Sequence, residues 1–447
     1  MAGPSGPDDR YHMTYWLLYL QGVGTLLPWN MFITAVTYFQ YKFGTDHGAA
    51  GEHKADFENY FEVVSMVPNI MFLFLNMLFK HLIGLQKRLV VSISIMFLAF
   101  VVTCILIYVD TFSWQNGFFA VTLIIAFCVN AASASYQSGL YGMAAFLSEG
   151  KYTQAIMGGQ GFSGLFSAVA NIIALSAGSA VQPMALGYFL SATVVLALCL
   201  VAVILMPRLT FVSYHLSRHE GGGKASDGEI NSINESGYDG DDDASDTQAL
   251  TGGADAKVAD AKKMPNFWVI IRKIYHLALS VAGIFFVTLA VFPAVSQSVA
   301  SVAARHANVK LNVWQDKYFV SLTTFLLFNA GDYAGRTAAG MVQLLGPRSI
   351  CIISFLRLGF LPLFALCNAY PDDRTMSVVF DSDVYPVLFM SLLALSNGYI
   401  SSLCMMTAPG LVEPHERETT GTMMAFCLGA GLTAGAGFSF AMKAIIT

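Results

Sequence analysis

Residues 88–109 read RLVVSISIMFLAFVVTCILIYV, and after Arg88 the run holds 21 uncharged residues before Asp110. As a helix it is about 30 Å long, the thickness of a bilayer's hydrocarbon core. Working outward, blocks of the same kind recur along the 447 residues, of which 55% are hydrophobic and 12% charged. A soluble chain carries about a quarter charged residues. The blocks predict an all-α polytopic membrane protein of about eleven transmembrane helices. Their spans lie near 13–39, 59–80, 88–109, 116–147, 153–180 and 182–206, then 267–299, 317–345, 348–369, 383–408 and 419–444.

Between the sixth and seventh spans the composition changes. Residues 217–265 hold eleven acids and five bases, a balance of −6 that leaves about +1 for the rest of a chain of net charge −5. Rich in Gly, Ser, Asp and Asn, this stretch cannot bury a core. The chain therefore divides into a cytoplasmic tail (1–12), six spans (13–207), a disordered acidic cytoplasmic loop (208–265) and five spans (266–447). Ser226, Ser232 and Ser236 each have an acid three residues on, which an acidophilic kinase would read, although such composition produces these matches often.

Asp8, Asp9 and Arg10 precede the first block where a signal peptide would have a basic region, so a retained first helix is expected. Lysines and arginines crowd one side of the spans, including Arg10, Lys87, Arg88, Lys151, Arg208, Arg348 and Arg417. That side is read as cytoplasmic, with the N-terminus inside and the C-terminus outside. The sequon at Asn234 falls in the cytoplasmic loop and is expected to be unused. All seven cysteines lie inside apolar blocks and read as buried thiols. No cofactor, metal or nucleic-acid polymer is expected as a partner. No nucleophile elbow, HExxH or phosphate loop appears, so neither an enzyme nor an ATP-driven pump is predicted.

Charges near mid-membrane cost about 2.5–3.5 kcal/mol each, so each calls for a reason. Asp332 and Arg336 sit near the middle of the span at 317–345. At 100° per residue, Asn329, Asp332 and Arg336 fall within roughly 60° of one another. Such a face looks into protein or a water-filled cavity. It reads either as an ion pair locking the helix to a neighbour or as a substrate site, and both can hold at once. Arg357, nearer a helix end, reads as structural or gate-related. Gln137 offers donor and acceptor together, as a heterocycle edge requires, or serves as helix–helix glue. Trp29 follows Pro28 within the first span and presents a ring for stacking or for core packing. Gly159-Gln160-Gly161-Phe162-Ser163-Gly164 matches a dinucleotide pattern without its strand and reads as a small-residue packing strip, as does Gly431-x-x-x-Gly435. Pro28 and Pro293 interrupt the opening spans of the two halves, a pointer to a transporter's site and gates.

Leu26-Leu27-Pro28-Trp29-Asn30, Phe292-Pro293-Ala294, Asn329-x-x-Asp332-x-x-Gly335-Arg336 and Ser396-Asn397-Gly398-Tyr399, in this order and in a six-loop-five layout, resemble the equilibrative nucleoside transporter family. The resemblance implies a major-facilitator-like fold without its twelfth helix and facilitated, alternating-access movement of nucleosides across a membrane, most simply the plasma membrane. It implies that Asp332 and Arg336 meet the ribose with Asn329 in support, and that Gln137 reads the base. Leu26, Trp29, Met66 and Leu432 would form an apolar wall, with Ile33, Phe292 and Pro293 as the outer gate. Ser133 and Ile33 stand where inhibitor-sensitive members carry Gly and Met, which implies weak inhibition by nitrobenzylthioinosine-type compounds. Nucleobases stay open as a further substrate class. Two other functions stay open: a proton-coupled nucleoside or organic-cation carrier of the same family, and a non-transporting receptor or scaffold.

Overall fold

A computed structural model describes residues 7–43, 57–79, 82–147, 150–177, 180–221, 266–305, 312–371 and 373–447. Its α-helices are α1 (Met13–Thr34), α2 (Val36–Lys42), α3 (Phe57–Phe79), α4 (Leu85–Tyr108), α5 (Gln115–Leu147), α6 (Lys151–Ala177), α7 (Val181–Leu205) and α8 (Thr210–Gly221). Then come α9 (Phe267–Val291), α10 (Leu327–Met341), α11 (Pro347–Leu356), α12 (Phe360–Ala365), α13 (Val384–Thr407) and α14 (Arg417–Ile446). Among the described residues the only β-type pairing is an isolated bridge from Val299 to Ala369.

Among the described residues eight helical stretches are long and apolar enough to cross a bilayer: α4 to α7, α9, the α11–α12 pair, α13 and α14. Their outer faces carry exposed apolar stripes at helical spacing, such as Val91, Ile95, Leu98, Val102 and Ile105 on α4 and Leu190, Val194, Leu198 and Val201 on α7. Water would not tolerate such stripes, but lipid does, so the protein is a multi-pass integral membrane protein. α1 and α10 fall outside that set; α10 is only 15 residues long, and both bring polar groups inward, Thr14, Gln21 and Thr25 on α1 and Asp332 and Arg336 on α10.

Within the first half α1 packs on α6 and α7, α5 on α3 and α4, and α4 on α7; within the second, α9 packs on α11, α13 and α14, and α10 on α13. The halves meet where α6 packs on α10 and where α5 and α3 pack on α14.

Several expected boundaries shift. The span 267–299 stops as a helix at Val291, because Phe292 precedes Pro293 and is extended, with φ −108° and ψ 132°. The expected first span, 13–39, breaks at Ala35 into α1 and α2. The span 317–345 starts as two π-helical turns, Trp314–Tyr318 and Ser321–Leu326, before α10 begins. The loop expected to be disordered from 208 instead opens with α8, because its apolar residues dock: Val212 is buried and the Phe211 ring lies 5.4 Å from that of Tyr152. Ser226, Ser232, Asn234 and Ser236 lie outside the described residues.

Candidate functional site

The polar centre is built where α10 and α13 touch backbone to backbone. A Cβ on Gly398 would lie 2.0 Å from the Asp332 carbonyl oxygen, and one on Gly335 would lie 2.4 Å from that of Leu395. Only glycine permits that approach. It brings the Asn397 side chain within reach, and its Nδ2 donates to Asp332 Oδ1 at 2.7 Å. The other carboxylate oxygen, Oδ2, accepts from Arg336 Nε at 2.6 Å. Both residues are buried, at 5% and 4% exposure. A pair withdrawn from water this far loses several kcal/mol of hydration per ion, which only good geometry and further hydrogen bonds offset.

Those further bonds run into the other half. Arg336 Nη1 donates to the Met157 carbonyl oxygen at 3.3 Å and to Gln160 Oε1 at 3.5 Å, both on α6. The Tyr141 hydroxyl on α5 donates to the same Gln160 oxygen at 2.9 Å. Gln137 lies one turn before Tyr141 on α5 and is also buried. A chain of polar contacts therefore joins α5 and α6 of one half to α10 and α13 of the other.

The α6 glycines make room for it. A Cβ on Gly161 would stand 2.8 Å from Arg336 Cδ, and one on Gly164 would stand 2.0 Å from Asn329 Oδ1. The strip has a second side, since a Cβ on Gly159 would meet the Tyr19 carbonyl oxygen of α1 at 2.0 Å. Asn329 rests on Gly164 and donates from Nδ2 to the Phe325 carbonyl oxygen at 2.8 Å, so its amide serves the π-to-α junction as well as the polar face.

The apolar candidates occupy other surfaces. Leu26, Trp29 and Ile33 share one face of α1 and are half-buried, as are Met66 on α3 and Leu432 on α14. The Trp29 ring stacks on Phe61 at 5.8 Å and 11°, a ring partner rather than a polar one. Phe292 stacks on Phe328 at 3.9 Å and meets Phe325 edge-on at 5.8 Å, which ties the stretch before Pro293 to the start of α10. Ser133 spends its hydroxyl on the Thr25 carbonyl oxygen of α1 at 2.9 Å, so it clamps α5 to α1.

Asn397, Tyr141, Gln160 and Arg357 contribute to the centre without having been assigned to it from the sequence. Gln160 was hidden inside the glycine strip; a lone amide among glycines is its signal. Arg357, which reads as structural or gate-related, sits at the end of α11 where it breaks before α12, is 2% exposed and points at Asn397.

A family model described as a nucleoside transporter matches residues 122–444. The chain is 33% identical over 442 residues to the rat equilibrative nucleoside transporter 3, covering 97% of this chain and 89% of that one. It is 32% identical to the human equilibrative nucleoside transporter 1 over 98% and 99% of the two chains, and 32% identical to the human equilibrative nucleoside transporter 2 over 100% of both. Among solved structures, a major facilitator superfamily proton:xylose symporter superposes with a TM-score of 0.63 at 13% identity over 98% of this chain and 89% of that one. The human organic anion transporter MFSD10 superposes with a TM-score of 0.57 at 12% identity over 98% and 95%. The fold is major-facilitator-like.

Proposed function

The chain belongs to the nucleoside transporter family, and from that premise we propose that it carries nucleosides such as adenosine and uridine down their gradients by alternating access. The observation that carries the mechanism is the path from Asp332 through Arg336 to Gln160: one polar chain spans both halves, so a ligand that engages it is felt by both. The ionised carboxylate accepts from ribose hydroxyls and the guanidinium donates to ring or carbonyl acceptors. Asn329 supports them, and Gln137, one turn from Tyr141, reads the base edge. Leu26, Trp29, Met66 and Leu432 supply the apolar wall, and Ile33, Phe292 and Pro293 the outer gate.

The reading includes eleven spans in a six-plus-five order, with the N-terminus and the acidic loop cytoplasmic, the C-terminus outside and the plasma membrane as the site of action. In that orientation the close approaches of Gly421 to Tyr141 and of Gly340 to Gln154 lie toward the cytoplasmic side. A cytoplasmic kinase at the 217–265 serines is part of the same reading.

Transport is passive. Proton coupling needs a carboxylate that sheds its counter-charge, and Asp332 has Arg336 bonded directly and Arg357 behind Asn397. Purified protein in liposomes is expected to show saturable uridine and adenosine flux that is similar in mildly acidic and neutral medium. A large acid stimulation abolished by a protonophore would defeat passive transport, and absence of saturable flux would leave the receptor or scaffold reading. Nitrobenzylthioinosine-type compounds are expected to inhibit the wild type weakly, because the Ser133 hydroxyl and the β-branched Ile33 crowd their bulky group. Nanomolar inhibition would show that neither residue does so.

A further inference from the structure

Arg357 is the second guanidinium of the centre, and its partners differ in kind from those of Arg336. From Nη1 it donates to the Leu393 carbonyl oxygen at 2.9 Å and to the Ser396 hydroxyl. From Nη2 it donates to Thr288 Oγ1 at 2.8 Å and to Asn397 Oδ1 at 3.4 Å. The Thr288 hydroxyl in turn donates to Asn397 Oδ1 at 2.7 Å, sharing its proton with the Ile284 carbonyl oxygen at 2.8 Å. Every one of these partners lies in the second half, on α9 or α13, whereas the outward contacts of Arg336 cross to α6 at 3.3 Å or more.

An amide can turn over and present either its oxygen or its nitrogen. Two donors aimed at the Asn397 oxygen leave only its N–H to face Asp332, where an oxygen would repel the carboxylate. A planar guanidinium fork spans α9 and α13 at once, which a lysine ammonium cannot do. We propose that Arg357 is a positioning residue: with Thr288 it holds Asn397, and so the Asp332 carboxylate, in one orientation, while Arg336 changes partners as the halves part. Arg336 is then the mobile cation and Arg357 the fixed one. The inference rests on the reading of Asp332 as the group that meets the ribose.

The test is uptake kinetics in liposomes for the wild type, Thr288→Val, Arg357→Lys and Asp332→Asn, with uridine and with its 2′,3′-dideoxy analogue. Thr288→Val keeps the side-chain shape and exchanges the hydroxyl for a methyl, so it covers the case in which Arg357→Lys does not fold. Both are expected to raise KM for uridine about tenfold, the worth of one charge-assisted hydrogen bond, with the maximal rate little changed. KM for the dideoxy analogue is expected to stay put, and neither substitution should add to Asp332→Asn. Equal losses for both substrates, or full additivity with Asp332→Asn, would make Arg357 a structural residue and overturn the proposal. If Asp332→Asn raises KM but neither partner variant does, the positioning role alone falls. If Asp332→Asn leaves uridine KM unchanged, the ribose reading falls and takes the positioning role with it.

Discussion

Gly398→Ala is expected to abolish nucleoside flux and to lower the melting temperature of the purified protein. The added methyl would lie 2.0 Å from the Asp332 carbonyl oxygen and 2.8 Å from the Arg336 backbone nitrogen. Neither is the end of a flexible side chain, so α10 and α13 must separate by on the order of an ångström in a close-packed interior. That displacement stretches the 2.7 Å bond from Asn397 to Asp332 past the range in which it holds. Overpacking of this kind costs about 1–3 kcal/mol, and more where backbone must move. Gly187→Ala is the control, since nothing lies within 4 Å of the Cβ it would add on α7. Wild-type melting and flux in Gly398→Ala would mean that the two helices do not touch as described.

The second large effect concerns Arg336→Ala. It strips Asp332 of its direct counter-charge at 5% exposure and leaves Asn397 as its side-chain hydrogen-bond partner. Removing one member of a buried pair costs about 3–5 kcal/mol, because the remaining charge stays desolvated. The single variant is expected to melt well below the wild type and to carry no measurable uridine. Combining it with Asp332→Asn removes the orphaned charge, so stability should return in part while transport does not. Full recovery of flux in the double variant would reduce the pair to a helix lock. Wild-type transport by both single variants would remove both residues from the site.

The separation of the two roles was partly visible in the residues. Asn329, Asp332 and Arg336 keep α-helical spacing, so their common face on α10 follows from helix geometry. Their partners do not follow. Asn397 is 65 residues from Asp332, and Gln160 is 176 residues from Arg336. The stretch Ser396-Asn397-Gly398-Tyr399 stood out only by its likeness to a family. Why it mattered became clear when Gly398 proved to be the point at which α13 reaches α10. The glycine strip on α6 read correctly as a packing surface, yet nothing local showed that one side of it seats Arg336 and Asn329 while the other seats α1. Arg357 reads from its position as structural or gate-related, but that it closes α11 at a 3₁₀ turn, Arg357–Gly359, and reaches Asn397 is a property of the fold alone.

Hydrophobic run length, charge placement and the 3.6-residue period are properties of neighbouring residues. For that reason the sequence alone settled that this is a helical membrane protein with a polar face at 329–336, and the comparisons bore out the family it resembled. Boundaries at Pro293 and Arg357, and the wiring of Asp332 to two guanidiniums, were decided only in the folded chain. Which side chains meet depends on how closely two backbones approach, and a glycine that permits contact looks, in sequence, like any other small residue.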